Sequence, residues 1–107
     1  MKVKLEDREY ELKANGRFLL KYQDLFDRNA VLDIYKGASE KDIVACQRLV
    51  YCAIDEKLPF DEWLDTFETP FFLLPVMEDV LAFLVRSINP TVKSNSTDEK
   101  KTKETEN

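Results

Sequence analysis

Apolar and polar positions alternate at the start of the chain. Val3 and Leu5, then Tyr10 and Leu12, are apolar, and Lys2, Lys4, Glu9, Glu11 and Lys13 fill the gaps. Period-two alternation predicts two half-buried strands, with Glu6-Asp7-Arg8 turning between them. Asn15-Gly16 ends the pattern. From Arg17 the spacing becomes helical: Phe18, Leu19, Tyr22, Leu25 and Phe26 recur about one turn apart. Asn15 is placed to cap that helix. Asp27-Arg28-Asn29 interrupts it, and Ala30 to Tyr35 reads as a short apolar helical piece that Gly37 would stop.

Ser39-Glu40-Lys41-Asp42 resembles a capping box and predicts that the next helix opens at Ser39. On that helix Ile43, Cys46, Leu49, Val50, Ala53 and Ile54 share one stripe, with Arg48 on the far side and Tyr51 and Cys52 flanking. Lys57 closes the run before Leu58-Pro59. Phe60 to Phe67 reads as a helix of about two turns, and Thr69-Pro70 as another helix start. Pro75 pushes Leu74 towards extended backbone, so a kink or a fresh helix is expected there. Glu78 and Asp79 favour the fresh start, because acids complement the dipole of a first turn.

The last helix, Pro75 to Ile88, is apolar over about 200° of its circumference. One neighbour cannot cover an arc that wide. The helix is therefore either central or turned partly towards another chain, and self-association into a homo-oligomer is one use of such a face. Beyond Asn89-Pro90 the apolar content falls to Val92. The expected organisation is mainly α (α+β): one domain, residues 1–90, built from an N-terminal hairpin and about four to five helices, then a disordered polar tail, residues 91–107. The expected core is Phe18, Tyr22, Phe26, Ile43, Val50, Ile54, Leu64, Val80, Leu81 and Leu84.

Composition narrows the chemistry. The chain has 107 residues, a net charge of −5 and no histidine. Net negative charge lacks the electrostatic footprint of a nucleic-acid binder. Absence of histidine removes the usual general base and the commonest metal ligand. No apolar run is long enough to span a membrane. The charged N-terminus is unlike a signal peptide, so a cytosolic protein is expected. Cys46 and Cys52 lie six apart in one helix and cannot pair. The carboxylates Asp61, Glu62 and Asp65, and the pair Glu78 and Asp79, fall in first turns of helices, where the solvated reading is the simplest. With glycine only at 16 and 37, no phosphate-cradling loop can form. The expectation is a protein that is not an enzyme, with no cofactor, no metal site, no nucleic-acid partner and no membrane partner.

The aromatics carry the functional expectation. Phe60, Trp63, Phe67, Phe71 and Phe72 fall within thirteen residues, interleaved with Asp61, Glu62, Asp65 and Glu68. Aromatic anchors within a charged rim suit a partner-binding surface; the alternative is that they fill a small core. Phe71 and Phe72 are adjacent, so at least one faces outward, and Phe72 is expected to serve a partner rather than the fold. Met77 completes the expected partner-binding set.

The order of these segments resembles a known family. Lys4-Leu5-Glu6-Asp7-Arg8-Glu9-Tyr10-Glu11-Leu12 forms a polar hairpin, and Phe18-Leu19-Leu20-Lys21-Tyr22 an aromatic-rich first helix. Tyr51-Cys52-Ala53 lies in the amphipathic helix, and Pro59-Phe60-Asp61-Glu62-Trp63-Leu64-Asp65 precedes the apolar last helix. Over residues 2–90 this is similar to the tail assembly chaperones of long, non-contractile-tailed phages of Gram-positive hosts. The resemblance implies a small, helical, non-catalytic protein of the infected host cytoplasm. It would coat the long tape-measure protein, recruit tail-tube subunits, and be absent from the mature virion. Many members also have a frameshifted longer form. Two other readings stand beside it: a virion adaptor of the head–tail connector kind, and a small acidic inhibitor of a host protein.

Overall fold

The computed structural model describes residues 1–89. Strands β1 (Lys2–Leu5) and β2 (Arg8–Glu11) form an antiparallel hairpin, and five helices follow: α1 (Gly16–Phe26), α2 (Ala30–Glu40), α3 (Ile43–Ala53), α4 (Phe60–Asp65) and α5 (Met77–Ile88). A 3₁₀ turn, Leu74–Val76, leads into α5. The mainly helical domain behind an N-terminal hairpin is thus as expected. The polar tail, residues 91–107, lies outside the described residues.

Hairpin register pairs Lys2 with Glu11, Val3 with Tyr10, Lys4 with Glu9 and Leu5 with Arg8. The turn is therefore two residues, Glu6-Asp7, and Arg8 belongs to the second strand instead of the turn. Glu6 takes φ 57°, because a two-residue hairpin loop needs positive φ to match the strand twist. Val3, Leu5 and Leu12 are buried, and the Lys13 amide donates to the Ala53 carbonyl at 2.9 Å. A lone hairpin is marginal in water; this one is held by packing on the helices.

The helix termini explain two departures from the expected pattern. Asn15 caps α1, its Oδ1 accepting from the Phe18 amide at 3.1 Å. Asn29 does the same for α2 through the Leu32 amide at 3.2 Å. Gly37, however, does not stop α2, which runs on to Glu40. Gly37 is buried where α2 crosses α5: a Cβ there would lie 3.2 Å from Leu81 Cδ2. The glycine serves close helix packing. The stop comes at Lys41, in the left-handed region with φ 56°. Nor does Ser39 open α3, since it lies inside α2. Asp42 is the cap, with Oδ1 accepting from the amides of Val44 and Ala45 at 3.1 Å each. The expected helix after Thr69-Pro70 is also absent. There the Thr69 hydroxyl accepts from the Phe71 amide at 3.2 Å, which makes a tight turn instead.

The core holds Phe18, Tyr22, Val50, Ile54, Val80, Leu81 and Leu84 as expected, while Phe26, Ile43 and Leu64 are only partly buried. α5 is not central. It buries Met77, Val80, Leu81 and Leu84, and leaves Phe83, Val85 and Ile88 partly buried on the rest of its wide apolar arc. α3 is more enclosed than its stripe suggests, with Tyr51 and Cys52 buried as well. The two thiols are free, and burial pushes Cys46 up to about 12 and Cys52 to about 11. Both therefore stay protonated and unreactive at neutral pH.

Among the described residues one charged side chain is buried. Asp33 is 4% exposed on α2. It accepts from the Tyr22 hydroxyl of α1 at 2.7 Å and from Arg28 Nε and Nη2 at 2.6 and 3.1 Å. Arg48 of α3 lies 3.9 Å away and donates to the Tyr22 oxygen at 3.2 Å. Arg48 is thus not on a far, solvated side. The cluster joins three helices and satisfies a buried charge that would otherwise be costly. The Arg28 hydrogen bonds hold the Asp33 carboxyl below the usual carboxylate range. Burial, and then the Asp33 hydrogen bond, push the Tyr22 phenol up to about 12.

Because the folded pKa of Asp33 is depressed, its contribution is present above the unfolded pKa of about 4 and lost as pH falls through the folded value. Asp33→Asn should cost about 2 kcal/mol at neutral pH, since hydrogen bonds to charged groups contribute roughly 1.5–3 kcal/mol. The gap to wild type should narrow below about pH 4. Urea unfolding from pH 2 to 7 checks this; a gap that does not change with pH would mean the carboxylate charge is not what joins the helices.

Candidate functional site

Six residues were expected to bind a partner: Phe60, Trp63, Phe67, Phe71, Phe72 and Met77. The fold brings the five aromatics into one region but turns most of them inward. Trp63 is 0% exposed, and Phe67, Phe72 and Met77 are buried. Phe60 is partly buried against the core. Only Phe71 stands in solvent, at 55% exposure.

Trp63 shows why the cluster faces inward. Its ring meets Tyr10 of the hairpin, Tyr51 of α3, and Phe60, Phe67 and Phe72, at centroid distances of 5.1–6.4 Å. Its indole N–H donates to the Tyr10 hydroxyl at 3.3 Å. Phe67 and Phe72 stack face to face at 3.8 Å with a 4° interplanar angle. Phe72 is therefore part of the fold, contrary to the expectation that it serves a partner. An aromatic run in a short helix followed by a tight turn gathers its rings around the largest one.

The hairpin clamps the outer edge of this cluster. The Arg8 guanidinium lies 4.1 Å above the Phe67 ring, and its Nη1 donates to the Thr66 hydroxyl at 2.9 Å. The Glu6 carboxylate accepts from the Glu68 amide at 2.9 Å. On the other side Gln47 of α3 donates from Nε2 to the Pro70 carbonyl at 3.3 Å. The segment leading to Phe71 is thus fixed at both ends.

What emerges from that turn is a ridge. The Leu74 amide donates to the Phe71 carbonyl at 3.1 Å, and both side chains are 55% exposed. In the run Phe71-Phe72-Leu73-Leu74 the middle two point inward and the outer two outward. Val44 is 51% exposed on α3, one turn before Gln47, which places it on the same side. Two depressions lie near the ridge, one that Leu74 itself lines and one lined by Thr69, Pro70 and Phe72, the chain neighbours of Phe71. One, of about 440 Å³, is lined by Lys41, Leu74, Pro75, Glu78 and Asp79 among others. The second, of about 390 Å³, is lined by Gln47, Asp65, Phe67, Glu68 and Pro70 among others.

Sequence reasoning missed Leu74 and Val44. The available signal for Leu74 was an apolar run of four in front of Pro75, too tight to bury whole. Among the described residues no group of three or more histidine, cysteine, aspartate or glutamate side chains could hold a metal ion. No helix among them is long and apolar enough to cross a membrane. Comparison with protein-family models, curated proteins and solved structures returned no match.

Phe72→Ala should cost about 3 kcal/mol, as large aromatic truncations in cores do. Phe71→Ala should stay within about 0.5 kcal/mol of wild type. Thermal and urea unfolding of the two variants measure this; equal losses would mean that Phe71 is packed too.

Proposed function

We propose that the chain is a non-catalytic assembly chaperone that holds an apolar helical client, namely a tail assembly chaperone of the phage class that its sequence resembles. In this reading the client is the tape-measure protein, and the chaperone helps bring tail-tube subunits to it in the cytoplasm of the infected host. It leaves before the virion matures. The observation that carries the reading is the ridge of Phe71 and Leu74, each 55% exposed on a turn held from beneath. Large apolar side chains fixed outward on a charged body suit contact with the apolar face of an amphipathic helix. Such a contact supplies reversible binding and requires no reactive group. The buried Trp63 cluster supplies the rigidity, so that the ridge is presented without ordering cost at the moment of binding.

Tagged protein recovered from phage-producing cells, with its companions identified by mass spectrometry, tests this. The expected companions are a very long helical phage protein and the tube subunit, with the bait missing from purified virions. Phe71→Ser/Leu74→Ser should fold normally and lose both companions. Bait present in mature particles would point to a virion adaptor, and one host protein recovered alone would point to an inhibitor.

A further inference from the structure

The charges around the ridge select the chemistry of its occupant. Asp65 and Glu68 rim one depression, and Glu78 and Asp79 rim the other. All four are exposed, and among the described residues none of them forms an ion pair. Lys41 is the only cation lining either depression. Leu74 lines the second of these depressions, and the first is lined by Pro70 and Phe72 on either side of Phe71 in the chain, so both ends of the apolar run adjoin acids on a body that is itself net negative. An amphipathic helix seated on such a crest places its apolar stripe on Phe71 and Leu74. The helix positions that border that stripe then lie towards the acid-rimmed depressions. Acids there would meet like charge, whereas lysines or arginines would meet complementary charge.

We infer that the ridge takes a basic amphipathic helix of a partner protein, with its apolar stripe on Phe71 and Leu74 and its cations in the two acid-rimmed depressions. This rests on the helix-binding reading above and adds the sign of the partner's charge. Long lysine and arginine side chains suit depressions of this kind, because their apolar stems pack along the crest while the charged ends stay wet.

The probe is a pair of synthetic helical peptides of about 18 residues, with the same leucine stripe and either lysines or glutamates on the remaining faces. Binding to the full chain is followed by fluorescence anisotropy. The lysine peptide should bind, more weakly as salt rises, and the glutamate peptide should bind at least tenfold less tightly. Asp65→Asn/Glu68→Gln/Glu78→Gln should weaken the lysine peptide roughly tenfold, the sum expected of three exposed charge contacts. Glu9→Gln/Asp24→Asn/Asp55→Asn changes net charge equally at sites away from the ridge and should leave binding within about twofold. Equal losses in the two triple variants would reduce the effect to overall charge and overturn the inference. Equal binding of the two peptides, abolished by Phe71→Ser/Leu74→Ser, would also overturn it while leaving the helix-binding reading intact. Binding of neither peptide would count against both. Circular dichroism of every variant separates lost binding from lost folding.

Discussion

Trp63 is the side chain on which the rest of the domain depends. It has no exposed surface, and five aromatic rings surround it, drawn from the hairpin, from α3, from α4 itself and from the turn beyond. Without it the hairpin would lose the contact of Tyr10 with α4, and a two-stranded hairpin does not persist alone. The turn that carries Phe71 and Leu74 would also lose its floor, because Phe72 reaches the core by packing edge-on against the indole. Burial of one large ring thus sets both the fold and the surface.

A second anchor works at the opposite chemical extreme. Asp33 ties α1, α2 and α3 through Tyr22, Arg28 and Arg48. Apolar packing alone is tolerant of sliding, whereas a buried carboxylate with named partners is satisfied in few arrangements. Gly37 adds a steric condition at the α2–α5 crossing. Together these fix the relative placement of the helices, and so the angle at which the acidic first turn of α5 meets the ridge.

Much of the fold was legible because its signals are local. The alternation of Val3, Leu5, Tyr10 and Leu12 gave the strands, and Asn15 and the Asp27–Asn29 break gave the limits of α1. The misreadings share a cause: local chemistry with two uses. Gly37 can end a helix or admit a neighbour, and only the position of Leu81 decides. Ser39 and Asp42 are both good caps, and the left-handed Lys41 selects the second. Asp33 sits at a core position of α2; Arg28 lies only five residues before it, but Tyr22 and Arg48 come from other helices, and no local spacing reveals that the three converge. Phe60, Trp63, Phe67, Phe71 and Phe72 suited either use by composition, a core somewhat better than a surface. Adjacency did show that Phe71 and Phe72 cannot both face inward, but not which of them faces out.

The most direct measurement is the emission of Trp63, the single indole in the chain, with and without the lysine-bearing helical peptide. A buried indole in contact with five aromatic rings should emit at short wavelength and resist quenching by acrylamide, and the peptide should change neither. Long-wavelength emission in the folded protein, or a shift in emission or quenching on addition of the peptide, would contradict an interior cluster. It would return Trp63 and its neighbours to the binding surface.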